Sequence, residues 1–353
     1  MEERRGLKFA VVGLQHFHVH EMIQSMLSIP EVELTAIADF DEHILAENQP
    51  RYGVRSYRDY RDMLEKERPD VVGCCTIPGH RADVITTCLS QGVHIISDKP
   101  VATTLDGLTK IENALNSERA LLSVMLTERF NPPVLTLKKL VDEGVLGKIA
   151  NFIAMRSHKL MKETRPSWMF ARETYGGILV DLAVHDIDIF HWITGVEPTF
   201  ISAWHSNVGS LEHSDFEDVG AIMLSAVESP SALVRVDWLA PREEIAHGDC
   251  RFFVMGTEGS VEVKVSGDIS IPGGSVRLCT HSKPPTEIPL VEPQKSLFED
   301  FIDAIWCDAG ERKTGNLEPR VITHQDILIA TRLTLLAREA ADHNRLVENK
   351  YKR

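Results

Sequence analysis

LKFAVVGLQHFHVHEMIQSMLSIPEVELTAIAD, residues 7–39, is the stretch whose reading decides the fold. A short apolar run over 8–12 meets a glycine at Gly13, an amphipathic segment over 21–28 follows, and a second apolar run over 33–38 closes on Asp39. Short fully apolar runs separated by a segment with apolar residues three and four apart are the pattern of strand, covering helix and parallel strand.

Outward from this unit the rhythm repeats. Apolar runs over 70–76, 94–97 and 121–125 read as further strands, and 42–52, 57–67, 81–91 and 105–115 read as the helices between them. Such alternation predicts a parallel sheet with both faces covered. Beyond Arg129 the alternation stops. A helix over about 133–143 is followed by longer strands, 149–158 and 232–239 among them. The run FFVMGTEGSVEVKVSGDISI alternates apolar and polar residues around turn signals at Gly256, Gly259 and Gly267. That pattern predicts a large, mainly antiparallel sheet with one solvated or subunit-facing side. Residues 297–306 and 324–344 read as helices, the second long enough to pack against a neighbouring domain. The expected architecture is therefore α/β: a Rossmann doubly wound parallel sheet over 1–126, then an α+β domain over 127–353 with an open sheet.

Composition narrows the function. The 353 residues are 43% hydrophobic and 25% charged, a globular composition too long for one ordinary core. Lys and Arg number 38 and Asp and Glu 52, so the formal charge is 38 − 52 = −14. A charge of that sign repels nucleic acid and anionic lipid, so neither is an expected partner. The six cysteines form no C-x-x-C pair, which fits a reducing cytoplasm better than a disulfide scaffold or a thiolate zinc site. The amino-terminal apolar run is too short for a signal sequence or a membrane span.

Several residues carry candidate chemistry. Gly13 is the first glycine of the G-x-G-x-x-G fingerprint, at which a dinucleotide's pyrophosphate meets helix amides, but Gln15 and His18 stand where the second and third glycines belong. Asp39 lies at the separation expected of the carboxylate that binds the adenosine ribose, which favours NAD over NADP; its alternative is to cap the helix beginning near Glu42. His16, His18 and His20 form an H-x-H-x-H series of the kind that ligates zinc in hydrolases. On a loop entering a helix the three are expected to diverge, so no metal is assigned. Lys99 follows a strand and precedes Pro100, which keeps its ammonium at the strand's carboxyl end, where ligands bind in such sheets.

Four segments, in order, carry a family resemblance. DVVGCCTIPGHRADVITTCLSQGVHIISDKP (70–100) resembles a strand, a T-x-P-x-H loop, a helix, a strand and an E-K-P turn, with Asp98 in place of glutamate. ERFNPPVLTLKKLVDEGVLGKI (128–149) resembles an R-F-N-P segment with its helix, Thr127 standing where Asn or Gln is usual. YGGILVDLAVHDIDIFHW (175–192) is similar to a G-G-G-x-x-x-D-x-x-x-H-x-x-D signature. FFVMGTEGSVEV with FEDFIDAIW resembles a G-T-x-G strand pair and a later helix. Together they resemble the Gfo/Idh/MocA oxidoreductases over nearly the whole chain.

The resemblance implies hydride transfer between NAD and a secondary hydroxyl of a sugar, inositol or related polyol, in a dimer or tetramer built through the open sheet. It brings forward Asp181, His185 and Asp188. Asp181 and His185 are four residues apart, so one helix would put both on one face, the carboxylate orienting an imidazole that acts as general acid/base. An ordinary surface pair is the alternative. Lys99 would supply a cation to the reacting oxygen. Gly13, Gln15, His16, Phe17, His18, Asp39, Thr76, Pro78, His80 and Asp98 would surround the cofactor. Arg129, Arg165 and Trp168 suit a polyol pocket, with structural pairing and core packing as their alternatives. His191 and Trp192 are expected to pack. The competing functions are NAD-assisted elimination or glycoside cleavage on the same fold, a non-catalytic nucleotide sensor, and a zinc hydrolase built on His16 and His18.

Overall fold

Residues 5–117, 120–227, 230–267, 273–308 and 321–351 are described in the computed structural model. The chain divides into two compact units, Met1–Met125 with Lys295–Leu328, and Leu126–Gln294 with Ile329–Arg353. Among the described residues no helix is long and apolar enough to cross a membrane.

The first unit is built on six parallel strands: β1 (Leu7–Val12), β2 (Val32–Ala38), β3 (Arg55–Tyr57), β4 (Val71–Cys74), β5 (His94–Ser97) and β6 (Leu122–Val124). Their spatial order is β3-β2-β1-β4-β5-β6. The helices α1 (His18–Leu27), α2 (Glu42–Tyr52), α3 (Tyr60–Glu67), α4 (Pro78–Ser90) and α5 (Leu105–Ser117) alternate with them. The interior strands have almost every residue buried, because a parallel sheet covered on both faces has no solvent side on which to place polar residues. The strand order reverses between β1 and β4, so the carboxyl ends of these neighbours open the crevice in which open α/β sheets bind ligands.

Several boundaries differ from the sequence expectation, α1 for instance beginning at His18 and not at residue 21, and two of them have a local cause. The helix expected over 57–67 begins only at Tyr60, capped by Asp59, and a three-residue edge strand, β3, precedes it. At a sheet edge, with two of its three residues exposed, β3 gives no apolar run to detect. The helix expected from residue 81 starts at Pro78, whose fixed φ and missing N–H suit a first helical position.

The second unit carries α6 (Pro132–Asp142), β7 (Ile149–His158), α7 (Arg172–Tyr175), α8 (Ile178–Asp181), α9 (Ala183–Thr194), β8 (Phe200–Ser206), β9 (Val219–Ser225), β10 (Ser231–Asp237), β11 (Gly248–Gly256), β12 (Gly259–Ser266), β13 (Ser275–Thr280) and β14 (Lys283–Glu287). α10 (Leu297–Asp308) belongs to the first unit, where it packs on α1; α11 (His324–Asp342) passes from the first unit's segment to the second's, and a two-residue strand β15 (Val347–Glu348) completes the second unit. The nine strands run β14-β13-β12-β11-β7-β10-β9-β8-β15, antiparallel except for the β10–β7 pair. Residues 268–272, the tail of the alternating run quoted above, lie outside the described residues.

One face of this sheet is covered by α6, α8 and α9. On the other face, Met223, Leu233, Ile153 and Phe253 stand in one cross-strand row. Met223 and Leu233 are 48% and 43% exposed, and Trp204 and Met255 are exposed on the same sheet. A soluble chain rarely presents so continuous an apolar face to water without a partner.

Candidate active site

The carboxyl edge of the first unit is drawn together at Gly13. Its φ is +89°, and a Cβ there would stand 2.1 Å from the Thr76 backbone nitrogen. Only glycine fits, and the turn after β1 therefore lies directly on the end of β4.

Asp39, at the end of β2, is 4% exposed. Its Oδ2 accepts from the Leu14 amide at 2.7 Å, and its Oδ1 accepts from the Asp41 amide at 2.9 Å and from Gln15 Nε2 at 3.3 Å. It does not cap α2. Asp41 does, accepting from the His43 and Ile44 amides. Asp39 thus braces the glycine turn while bordering a cleft of about 390 Å³ that Phe40, Arg61, Thr76 and His80 also line. The Phe40 and His80 rings stand 6.2 Å apart on its walls. Arg58 and Arg61, which the sequence did not single out, line it too. Arg58 is bridged to Glu42 at 2.6 Å, and Arg61 lies over the Tyr60 ring. A narrow glycine turn, a buried carboxylate beside it and a cleft with aromatic walls fit the adenosine end of a dinucleotide.

The second turn of this edge holds Asp98, Lys99 and Pro100 after β5, and the Lys99–Pro100 peptide is cis. Its organiser is Arg81, 1% exposed. The guanidinium donates to Thr76 O and to Asp98 Oδ2, both at 2.8 Å, to Pro100 O at 3.2 Å, and to Lys99 O. Sequence reading missed Arg81, although the signal was present: it lies in line with Val84, Ile85 and Cys88 on the apolar stripe of α4, where a cation has to find a carboxylate. Burial works to raise the Asp98 pKa, but Arg81, His18 and His16 outweigh it and hold the carboxyl well below the usual range.

His16 and His18 do converge, contrary to the expectation that the H-x-H-x-H series would diverge. His18 Nδ1 is 3.1 Å from Asp98 Oδ1, His16 Nδ1 is 3.6 Å from Asp98 Oδ2, and the two rings meet edge to face. His16 precedes α1 and His18 begins it, so the helical rotation that would separate them has not started; His20 turns away to Tyr52. The ligand-capable atoms of His16, His18 and Asp98 lie within 4.8 Å of one another. Arg81 also bonds one carboxylate oxygen and the Lys99 amide the other, so that a cation at this cluster would share Asp98 with them. Burial, with the charges of His18, Arg81 and Lys99, pushes the His16 pKa down to about 3, so this imidazole is neutral at physiological pH.

In the second unit, Asp181 and His185 lie on two successive helices. Asp181 ends α8 and α9 starts at Ala183, and Leu182 between them keeps a right-handed helical backbone, its amide donating to Ile178 O at 2.9 Å. The Gly176–Gly177 entry, with φ of +92° and +93° that glycine adopts readily, is held by Arg338, which donates to Gly176 O at 2.8 Å, and by Arg172 bridged to Glu217 and Asp342.

Asp181 Oδ2 accepts from the Tyr175 hydroxyl at 2.8 Å, and that hydroxyl accepts from Trp238 Nε1 at 2.9 Å. An indole N–H can only donate, so the phenol oxygen is its acceptor and the one phenol proton points at Asp181. The Asp181 oxygen that faces the phenol is therefore an acceptor. Burial, and then the charge of Asp181, push the Tyr175 phenol well above its usual value. Tyr175 lies only six residues before Asp181, but its bond becomes directional through Trp238, 63 residues further along the chain, which gave no sequence signal. Arg165 lies over the Trp238 ring and donates to Leu160 O at 2.8 Å, close enough for its charge to act on Asp181. Trp168 is half-buried, in the short 3₁₀ turn Ser167–Phe170.

The inner acidic residues of α9 have buried cations. Arg129 is 0% exposed and forks onto Asp188 at 2.8 and 2.7 Å, with Trp192 under its guanidinium. Arg156 binds Asp186 at 2.8 Å and Glu128 at 2.9 Å. Lys99 and His185 are each 9% exposed.

With this geometry in hand, the relatives are informative. Residues 7–126 match the family model described as an oxidoreductase family with an NAD-binding Rossmann fold, and residues 134–262 match the GFO/IDH/MocA C-terminal domain. A solved Thermotoga maritima protein described as an oxidoreductase is 30% identical, with a TM-score of 0.84, over 97% of this chain and 100% of its own. Myo-inositol 2-dehydrogenase of Thermotoga maritima is 23% identical over 72% of this chain and 74% of its own length. A levoglucosan dehydrogenase solved with NADH and levoglucosan shares the fold, with a TM-score of 0.80 over 98% of this chain and 99% of its own at 19% identity. The chain belongs to the GFO/IDH/MocA oxidoreductase family, with an NAD-binding Rossmann fold in its amino-terminal part.

Proposed function

We propose that this enzyme is an NAD-dependent dehydrogenase that oxidises or forms a secondary hydroxyl of a sugar, inositol or related polyol. The observation that carries the reading is the Gly13 turn braced by Asp39 beside an aromatic-walled cleft; relatives named for inositol and levoglucosan support the substrate class. The cofactor, when bound, supplies the two-electron acceptor or donor. Residues 1–126 would hold it through Gly13, Gln15, His16, Phe17, His18, Asp39, Thr76, Pro78, His80 and Asp98, and 127–353 would serve substrate and assembly.

His185 is the general acid/base, Asp181 its ionised partner, and Lys99 the cation that bonds the reacting oxygen and stabilises charge developing on it. Arg165 and Trp168 serve the substrate side. Arg129, first expected there too, acts through the frame: its fork is taken by Asp188.

NAD is favoured over NADP because a 2′-phosphate would share its cleft with the Asp39 carboxylate, while the nearby guanidiniums of Arg58 and Arg61 already have partners. Fluorescence titration is expected to show NADH binding about 10-fold or more tightly than NADPH, as one charge-assisted hydrogen bond allows. Asp39→Ala should remove that preference. Equal affinities in the unmodified protein would refute the role of Asp39. A screen of inositols, aldoses and anhydrosugars at 340 nm then tests the reaction, since a dehydrogenase accumulates NADH and a cycling lyase does not.

The apolar row Met223, Leu233, Ile153 and Phe253 is best covered by a second copy of the chain, giving a dimer or a tetramer. Leu233→Glu, at the centre of that row, should yield monomers by light scattering; an unmodified chain that is already monomeric would sink this assembly. The free thiols of all six cysteines support a reducing cytoplasm as its compartment, which cell fractionation checks.

A further inference from the structure

His18 stands where the dinucleotide fingerprint has its third glycine, and by the usual logic of that motif it is a defect. Its surroundings indicate otherwise. The ring is the first of α1, and the residue before it, Phe17, provides no side-chain cap. Instead of lying over solvent, the His18 imidazole reaches Asp98 Oδ1 at 3.1 Å. That oxygen also accepts the Lys99 amide at 2.9 Å, and the other oxygen of the same carboxylate is held by Arg81. Arg81 in turn grips the carbonyls of Thr76, Lys99 and Pro100.

The result is a chain of contacts from the first residue of α1 through Asp98 and Arg81 to the backbone on both sides of Lys99. His16 packs edge to face against His18 and faces the second carboxylate oxygen. Asp98 is 2% exposed, so each donor it loses has to be made up inside the fold.

We propose that His18 is a positioning residue for cofactor binding: it cross-links the Gly13–His18 turn to the Asp98–Lys99–Pro100 turn, so that the cradle is held by an imidazole–carboxylate bond in place of glycine close-packing. The inference rests on the reading that this edge holds NAD, and it yields an expectation opposite to the motif's. Restoring the glycine should weaken binding.

Titration with NADH, followed by fluorescence, tests this without any knowledge of the alcohol substrate. His18→Gly and His18→Ala are each expected to raise the NADH Kd by roughly 10-fold, the loss of one charge-assisted hydrogen bond at a buried carboxylate. The alanine variant carries the test if glycine destabilises the start of α1. His18→Gln, whose amide can still donate to Asp98, should recover most of the affinity, and His18→Leu, of similar volume but with no donor, should not, a difference that a merely space-filling role would not predict. The proposal is overturned if either small variant binds NADH as tightly as the unmodified chain or more so, or if glutamine does no better than alanine. It is equally overturned if EDTA abolishes NADH binding by the unmodified protein, because His16, His18 and Asp98 would then be metal ligands. An unmodified chain that fails to bind NADH at all would instead refute the cofactor reading itself.

Discussion

Asp181→Asn is expected to lower kcat on the polyol substrate by roughly 10²–10⁴-fold while leaving the fold intact, the range typical of disabling a general acid/base unit. The chain of donors explains both halves of that expectation. Trp238 Nε1 donates to Tyr175, and Tyr175 donates to Asp181 Oδ2. An asparagine oxygen can accept the same phenol proton, so the buried bonds survive and thermal melting should change little. The negative charge does not survive. On the proposed pairing, an imidazolium formed at His185 then has no counter-charge from Asp181, which is where the loss of kcat arises. His185→Ala should be at least as damaging. A kcat for Asp181→Asn within about threefold of the unmodified enzyme would separate Asp181 from the chemistry and leave its network a purely structural one.

Much of the first unit was legible because its signals are local. Parallel strands buried on both faces have to be short apolar runs, a turn with φ near +90° has to be glycine, and a carboxylate closing the second strand falls at a fixed separation. What escaped notice depends on partners brought together only by folding. Edge strand β3 has polar, exposed residues and no pattern of its own. The convergence of His16 and His18 needs a carboxylate from the end of β5, far along the chain, to draw both rings to one point. Arg81 is the instructive case. A cation in the apolar stripe of a helix is legible as an anomaly that a buried carboxylate has to answer, while its identity as Asp98 comes only from the fold.

The same question, put to Arg129, gives the largest stability effect expected in the second unit. Its guanidinium has no measurable exposure, and both arms of the fork end on Asp188, itself 1% exposed. Removing two charges from water costs several kcal/mol, and the pair recovers that cost only while both members are present. Arg129→Ala should therefore destabilise the unit by about 3–5 kcal/mol, read from urea unfolding, because it leaves a buried carboxylate stripped of its bidentate partner as well as a cavity beside Trp192. Replacing both members with apolar residues of similar volume, Arg129→Met with Asp188→Leu, should restore most of the loss, since no charge then remains to be solvated. Activity is expected to separate from stability here. Asp188 and Asp186 anchor α9 to different arginines, and His185 precedes both on that helix, so a variant that regains stability with a repacked Asp188 should still show a reduced kcat at a nearly unchanged KM. If the double variant is as unstable as Arg129→Ala, the cost lies in lost packing and not in the orphaned charge. If it is stable and fully active, the ion pair is dispensable to the placement of His185.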